Sequence, residues 1–273
     1  MKLTDFFARS PVFTGEELAA FLAANGSTNA STRKSLLAHH KAAGHVIAAR
    51  RDLFVAVPPG FAPDGFAVDP FLVAAKAAGD AVVAYHAALQ LHGRAYSHTT
   101  EIIYLTEKVR GRAFKFQGTT YKPIAPPPAL VRAGAQDFSV ATLDRQGQSV
   151  RVTSLERTLV DALDRPDVGG GSWEEIWRSL ETIEFFDVDA VLAYCNLVGN
   201  ATTTAKVGFF LDQHRESLML NEPQLAAFRA QRPKSRHYMT LPGGRKERGQ
   251  LIKDWNLIVP TSVVERAWEE PIS

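Results

Sequence analysis

Two loop-and-helix segments contain residue types that suit anion or metal binding. Residues 169–172, Gly-Gly-Gly-Ser, precede a predicted helix and could cradle an anion, but no Lys-[Ser/Thr] pair follows as in a phosphate-binding loop. Ser172 is instead expected to cap that helix. Asp187 and Asp189 could hold a metal ion, yet they come directly before an apolar helical segment. There they suit the N-cap and first turn of a helix.

Histidine and cysteine spacing likewise predicts no reactive centre. His86 and His92 are six residues apart, so they do not share one face of a helix. The single cysteine, Cys195, lies in a helical pattern and is expected to pack there. No serine–histidine–acid set can be recognised from spacing. The sequence therefore predicts no catalytic residue, no metal and no cofactor.

Charge is distributed unevenly along the chain, although the net charge is only +2. Residues 18–51 contain five basic residues, three histidines and no acid, whereas residues 154–228 contain 13 acids and five bases. Residues 229–253 return to eight bases and one acid. This order predicts that the N-terminal segment binds an anionic partner, and the basic tail is a second candidate for such binding.

The elements expected around the first basic segment follow the order helix, helix, helix, hairpin. Residues 3–9 form the first helix, and Thr14 begins the second with a capping box to Glu17. A third helix covers about 30–43, and alternating apolar residues flank a charged turn at 50–52. This order is that of a winged helix-turn-helix, in which the third helix enters the major groove of DNA.

The third helix and the hairpin turn supply the expected contacts to double-stranded DNA. On a helical wheel, Leu37 and His40 face the core, and Lys34 lies broadly opposite. Arg33 lies near the core stripe, so it would pack its stem and extend only its head. The alternative is a basic helix that is merely solvated. The predicted DNA-binding residues are Ser31, Thr32, Arg33, Lys34, Ser35, Lys41, Arg50 and Arg51.

The remaining chain is predicted to form a larger mixed α+β domain. Residues 61–69, with Pro63 and Gly65, resemble a linker, so we expect domains at 1–60 and 61–273. Helices are expected at 70–78 and 81–91, followed by five strands and then mainly helices from residue 155. Short strands are expected in the tail near 237–241 and 251–258. The fold class is therefore α+β.

The basic tail is a possible second phosphate-binding surface, and a solvated loop is the alternative. Eight cations with one acid would make binding strongly dependent on salt if half of them engaged phosphates. The candidate residues are Arg232, Lys234, Arg236, Arg245, Lys246 and Arg248.

Composition argues against a membrane or secreted protein. Apolar runs are far shorter than the roughly 20 residues that a membrane span needs. The N-terminus lacks a secretory pattern and the chain has one cysteine, so a cytoplasmic location is expected.

Several blocks resemble the AbiEi antitoxins of type IV toxin–antitoxin (abortive infection) systems. The N-terminal blocks are residues 32–44 and 50–58, a pattern that many regulators share. Residues 152–166 and 169–171, beginning Val-Thr-Ser-Leu-Glu-Arg-Thr-Leu-Val-Asp, resemble that family's C-terminal domain, with weaker likeness at 85–89 and 255–260. Asp52 departs from the family, in which glycine is frequent at the wing turn.

The resemblance implies a DNA-binding autorepressor and antitoxin, not an enzyme. Its winged helix would repress its own operon at inverted repeats, and its larger domain would counteract a nucleotidyltransferase toxin without forming a stable complex with it. Alternatives are a winged-helix regulator with a ligand-sensing domain and a DNA-processing enzyme. The residues Leu155, Glu156, Arg157 and Asp161 would serve either antitoxicity or folding.

Overall fold

The chain folds into two compact units, each assembled from three stretches of sequence. The computed structural model describes residues 2–109, 112–169, 171–240 and 248–268. The first unit comprises residues 1–83, 100–125 and 142–151, and the second comprises 84–99, 126–141 and 152–273. Both units contain helices and strands, so the class is mixed α+β as predicted. The predicted domain boundary at residue 60 stays a prediction.

The N-terminal part of the first unit combines three helices with a small antiparallel sheet, whose strand order is β1–β3–β2. Strand β1 was not expected, because three residues are too few to reveal an alternating pattern. Phe6, Phe13, Leu18 and Val46 form the buried cluster between these elements. The elements are α1 (Leu3–Arg9), β1 (Val12–Thr14), α2 (Gly15–Ala24), α3 (Ala30–Ala42), β2 (Val46–Arg50) and β3 (Leu53–Ala56).

Side-chain caps explain where α2 and α3 begin. The Thr14 hydroxyl accepts from the Glu17 amide at 3.2 Å, and the Glu17 carboxylate accepts from the Thr14 amide at 2.8 Å. This is the predicted capping box. At α3, the Asn29 side chain accepts from the Ser31 amide at 2.8 Å. Each cap satisfies backbone donors that a helix start leaves unpaired.

A six-stranded sheet has the order β6–β7–β5–β4–β9–β8. Strands β5 and β7 are parallel, with Ile103 opposite Lys122, whereas β6 and β7 are antiparallel. Helix α4 (Pro70–Ala75) precedes β4. The strands are β4 (Val82–Val83), β5 (Glu101–Leu105), β6 (Phe114–Phe116), β7 (Thr119–Ile124), β8 (Val140–Arg145) and β9 (Gln148–Thr153).

The prediction of a helix over residues 81–91 is wrong for the first half of that range. Val82 and Val83 pair with Leu105 and Tyr104 as strand β4, and the helix starts only at residue 86. β-Branched valines suit such a buried pairing, and the sheet context overrides the helical pattern. At Tyr85 the backbone has φ 58° and therefore cannot continue a right-handed helix.

Residues 61–69, predicted as a linker, are part of the first compact unit. Val68 is buried, and its amide donates to the Gln117 side chain at 3.1 Å. The Asp69 carboxylate accepts from Arg145 Nε at 2.8 Å. The segment that contains this proline and glycine is therefore a turn-rich connection that packs on the first unit, since Val68 and Asp69 both have partners there.

The second unit is mainly helical, with a small three-stranded sheet of order β10–β12–β11. Trp173, Trp177, Trp255 and Phe210 are among its largest buried side chains. The elements are α5 (His86–Leu91), α6 (Pro128–Ala133), α7 (Leu155–Asp164), α8 (Pro166–Gly169), α9 (Trp173–Glu181), α10 (Val188–Val198), α11 (Ala201–Gln213), α12 (Glu222–Arg229), β10 (His237–Tyr238), β11 (Gly249–Ile252), β12 (Leu257–Pro260) and α13 (Thr261–Val264).

The single strand expected near 251–258 is instead two antiparallel strands. Residues 253–255 form a 3-10 turn, and Asn256 has φ 51°, so the chain reverses between β11 and β12. Asparagine tolerates this left-handed conformation better than most residues. Among the described residues, no helix is both long and apolar enough to cross a bilayer.

Candidate functional site

Helix α3 has one packed face and one free face, as the helical wheel predicts. Leu36 and Leu37 are half-buried, and Leu37 packs against the N-terminal core. The opposite side chains are small and polar or cationic, and α3 carries no acid in its first turn. Such a face can approach the edges of bases and the phosphates of DNA closely. Its exposed members are Ser31, Thr32, Lys34, Ser35 and Lys41.

Arg33 differs from its neighbours on α3 because it is half-buried. Its Nη1 donates to the Gly15 carbonyl oxygen at 3.4 Å, at the start of α2. The guanidinium therefore lies near the core face, as the wheel indicates, and links α3 to α2. Its predicted contact with DNA stays a prediction.

Asp52 occupies the turn of the β2–β3 hairpin with φ 63°. Its backbone carbonyl accepts from the Gly15 amide at 3.4 Å. Its carboxylate lies so close to Gly15 that a Cβ there would approach Oδ1 to 2.1 Å. Gly15 is the first residue of α2, so the negative charge lies at the positive end of that helix. This contact explains how an aspartate occupies a turn that commonly uses glycine.

Arg50, predicted to contact DNA from the hairpin turn, is engaged within the first unit. Its guanidinium donates to the Ala77 carbonyl oxygen and lies 4.9 Å from the centre of the Phe114 ring. It also hydrogen-bonds the Tyr104 hydroxyl. Burial raises the pKa of Tyr104, and Arg50 opposes that rise. Arg51, the next residue, is exposed.

A cavity of about 580 Å³ lies in the first unit beside the hairpin turn. Sequence reasoning missed it, because its lining comes from four separate stretches and no local pattern joins them. The lining residues are Arg50, Arg51, Ala77, Ala78, Gly79, Asp80, Tyr104, Thr106, Lys108 and Pro123.

Histidines at the end of α3 form a small aromatic cluster. The Nδ1 atoms of His40 and His45 are 3.2 Å apart, so a proton on one can be donated to the other. The His40 ring also packs edge-on against Phe7, with centroids 5.2 Å apart. Burial, reinforced by repulsion from His39 and His45, lowers the pKa of His40. His40 is half-buried and touches Phe7, so it lies on the packed side of α3, as the helical wheel predicts.

The basic residues of the tail that the structure describes do not form one compact patch. Arg236 precedes β10, whose His237 lies opposite Leu257, whereas Arg248 precedes Gly249, which lies opposite Pro260. The two arginines therefore flank opposite ends of the three-stranded sheet. Arg232 donates to the Asp254 carbonyl oxygen at 2.8 Å. Lys234 is exposed, and Arg245 and Lys246 lie outside the described residues.

The α7 motif consists of Leu155, Glu156, Arg157 and Asp161, and its two inner residues are buried. Arg157 and Asp161 are 0% and 1% exposed, with Nε to Oδ2 at 3.3 Å. Arg157 Nη1 donates to the carbonyl oxygens of Gln136 and Phe138, both at 2.7 Å. The Tyr194 hydroxyl donates to the other Asp161 oxygen at 2.7 Å. These contacts join α7 to α10 and to the segment that follows α6, which is a folding role.

The outer residues of this motif are less enclosed. Leu155 and Glu156 are half-buried, and Glu156 Oε1 accepts from the Asp187 amide at 3.3 Å. Leu155 packs against the core of the second unit. Of the four residues, these two alone retain surface that a partner could reach.

The other candidate groups have structural partners. Ser172 accepts from the Glu175 amide at 3.1 Å and Asp187 from the Ala190 amide at 3.1 Å, so both are the predicted N-caps. His92 Nε2 lies 2.8 Å from the Thr153 carbonyl oxygen. Burial raises the pKa of Cys195 to about 12. Within the described ranges, no group of three histidine, cysteine or acidic residues is arranged to hold a metal ion.

Comparison with known proteins identifies a shared fold. The crystal structure of the RV2827C protein from Mycobacterium tuberculosis is similar over 97% of this chain and 93% of that chain, with a TM-score of 0.62. The two sequences are 16% identical, so the likeness concerns the fold alone. No protein-family model matches the sequence, and no curated protein matches it.

Proposed function

We propose that residues 1–60 form a winged helix-turn-helix that binds duplex DNA through the exposed face of α3. The observation that carries the proposal is the division of α3 into a packed face and a free face of small polar and cationic residues. The element order supports it, because three helices and a hairpin joined to β1 in one sheet are typical of this class.

Contacts in the first unit assign different tasks to the predicted DNA-binding residues. Ser31, Thr32, Lys34 and Ser35 would meet base edges and phosphates in the major groove. Lys41 and Arg51, both exposed, would contact the backbone. The half-buried Arg33 and Arg50 would act as positioning residues, because their guanidinium groups bind backbone carbonyls of Gly15 and Ala77.

Fluorescence anisotropy tests the proposal with the full chain and a labelled duplex from its own promoter. Lys34→Gln should weaken binding and lower the slope of log affinity against log salt by roughly 0.9 if one phosphate contact is lost. Lys115→Gln is the matched control, since Lys115 is exposed on β6 in the same unit. Equal affinities for the two variants at two salt concentrations would exclude α3 as the DNA-binding element.

We further propose that the protein is a cytoplasmic autorepressor and antitoxin with no enzymatic activity of its own. It would act at inverted repeats in its promoter and counteract a nucleotidyltransferase toxin without a stable complex. The resemblance of residues 152–166 to the AbiEi antitoxins supports this assignment. The burial of Arg157 and Asp161 indicates that the motif supports the fold of the second unit.

Co-expression with a nucleotidyltransferase toxin encoded beside this chain separates the two activities. Lys34→Gln should lose promoter repression and still rescue growth, because α3 would serve DNA binding alone. Loss of rescue in a folded Lys34→Gln protein would show that the two activities are not separate. Failure of the unaltered chain to rescue growth would refute the antitoxin assignment.

A further inference from the structure

Three cations line the cavity beside the hairpin turn in the part of the chain that the structure describes. Arg50, Arg51 and Lys108 reach it from β2, the hairpin turn and the loop after β5. Among the residues that the structure describes, no carboxylate forms an ion pair with any of the three. Positive charge therefore gathers at a concave surface where none of these three cations is neutralised by an ion pair to a described carboxylate.

Asp80 is the one carboxylate among the described lining residues, and hydrogen bonds already occupy it. Asp80 accepts from the Thr106 hydroxyl at 2.6 Å and from the Glu107 amide at 2.7 Å. Despite partial burial, these donors hold the pKa of Asp80 below its usual value. Asp80 is thus charged at neutral pH, but its oxygens are directed to Thr106 and Glu107. The lining keeps an excess of two positive charges.

One cation is fixed and two are free to adjust. Contacts with Ala77 and Phe114 hold Arg50, and its hydrogen bond to the buried Tyr104 fixes it further. Arg51 and Lys108 are exposed, so they can close on a ligand. A fixed guanidinium with two mobile cations suits a group that carries several acceptor oxygens and more than one negative charge.

We propose that this cavity binds a small molecule that carries phosphate groups. Its volume of about 580 Å³ lies in the range of small-ligand pockets. The cations would hold the phosphate oxygens, while Ala77, Ala78 and Pro123 offer apolar surface to the rest of the molecule. Duplex DNA presents its phosphates on a convex surface, whereas this cavity is concave and reaches Tyr104, which is 2% exposed. The described lining includes no residue of α3, although the proposed DNA-binding surface shares Arg51 with the cavity.

Isothermal titration calorimetry of the full chain with inorganic pyrophosphate, without DNA, tests the proposal. Saturable binding of one pyrophosphate per chain is expected, with a dissociation constant of about 1 mM or below. Arg51→Gln and Lys108→Gln should each weaken it by about tenfold, since each removes a charge-assisted contact. The double variant should show no saturation. Circular dichroism melting establishes that the variants are folded.

Two variants with the same change of charge serve as controls. Lys115→Gln and Lys34→Gln should leave pyrophosphate affinity unchanged, because neither residue lines the cavity. Equal weakening by either control would mean general attraction to a basic protein and would overturn the proposal. Absence of saturable binding, or full binding by the double variant, would overturn it too. A loss of DNA binding in Lys34→Gln alone would not affect this result.

Discussion

The pairing of Arg157 with Asp161 gives the sharpest test of what the α7 motif does. Replacing Asp161 by alanine leaves a guanidinium that is 0% exposed with no opposite charge. Breaking a buried ion pair in this way costs about 3–5 kcal/mol. It also removes the acceptor of the Tyr194 hydroxyl at 2.7 Å. A loss of this size is a large part of the roughly 5–15 kcal/mol that stabilises a typical domain.

Neighbouring variants should rank in order of the contacts they lose. Tyr194→Phe removes one hydrogen bond to a charged group, which is worth about 1.5–3 kcal/mol. Glu156→Gln is the matched control on the same helix, because Glu156 accepts one amide hydrogen bond at 3.3 Å and is only half-buried. It should cost below about 1 kcal/mol. We expect Asp161→Ala to be the most harmful, then Tyr194→Phe, then Glu156→Gln.

Tryptophan fluorescence during urea unfolding reports on the second unit selectively. All four tryptophans, at 173, 177, 255 and 268, belong to that unit. Asp161→Ala should therefore lower the midpoint of the fluorescence transition, because free energy of unfolding falls linearly with urea. DNA binding, which we assign to the first unit, provides a separate measurement on the same samples.

Two results would refute this reasoning. An unchanged fluorescence midpoint for Asp161→Ala would show that the pair does not stabilise the second unit. Loss of toxin rescue by Asp161→Ala with full stability would assign the motif a direct part in antitoxicity. The double variant Arg157→Met/Asp161→Leu should lose less stability than the sum of its two single variants, since neither charge is left alone.

Three further outcomes follow from buried groups elsewhere. Burial lowers the pKa of His40 in the folded protein below 6.5, its value in the unfolded chain. The stability that neutral His40 contributes is therefore present above pH 6.5 and is lost as the pH falls from 6.5 toward the folded-state pKa. The protection factors of the α3 amides, which correct for the intrinsic exchange rate at each pH, should fall on acidification, and less so in His40→Gln; equal falls in both would contradict this. Gly208→Ala should lower the free energy of unfolding by about 1–3 kcal/mol, because its Cβ would lie 2.2 Å from the Trp255 ring. The urea midpoint of the fluorescence transition should fall accordingly, and an unchanged midpoint would mean that the ring moves freely. Cys195, 1% exposed, should resist iodoacetamide until urea unfolds the second unit, and rapid labelling of the native protein would show that the thiol is accessible.

Local sequence patterns were enough to predict the N-terminal helices and the orientation of α3. The capping box at Thr14 and the packed position of Leu37 both depend on residues within a few positions of one another. Spacing of three and four residues places side chains on one face of a helix whatever the helix packs against. The same logic identified Ser172 and Asp187 as caps.

Local patterns failed where distant strands compete for a segment. The predicted helix at 81–91 contains Val82 and Val83, which pair with strand β5 some twenty residues later in the chain. The turn at 253–255 likewise divides the segment 251–258 into two strands, each with an apolar pair, Leu251 and Ile252 in the first and Leu257 and Ile258 in the second. Apolar runs of this length fit a buried strand and a helix equally well, so tertiary pairing decides between them.

The sequence by itself determined which residues of α3 are free to meet a partner and that α7 carries an arginine and an acid one turn apart. Only the tertiary structure decided that this pair is buried and that Arg50 points into a cavity rather than away from the hairpin. The physical reason is that burial and charge balance depend on side chains from remote segments, such as Tyr194 against Asp161 and Lys108 beside Arg50. Those partners meet only after the chain has folded.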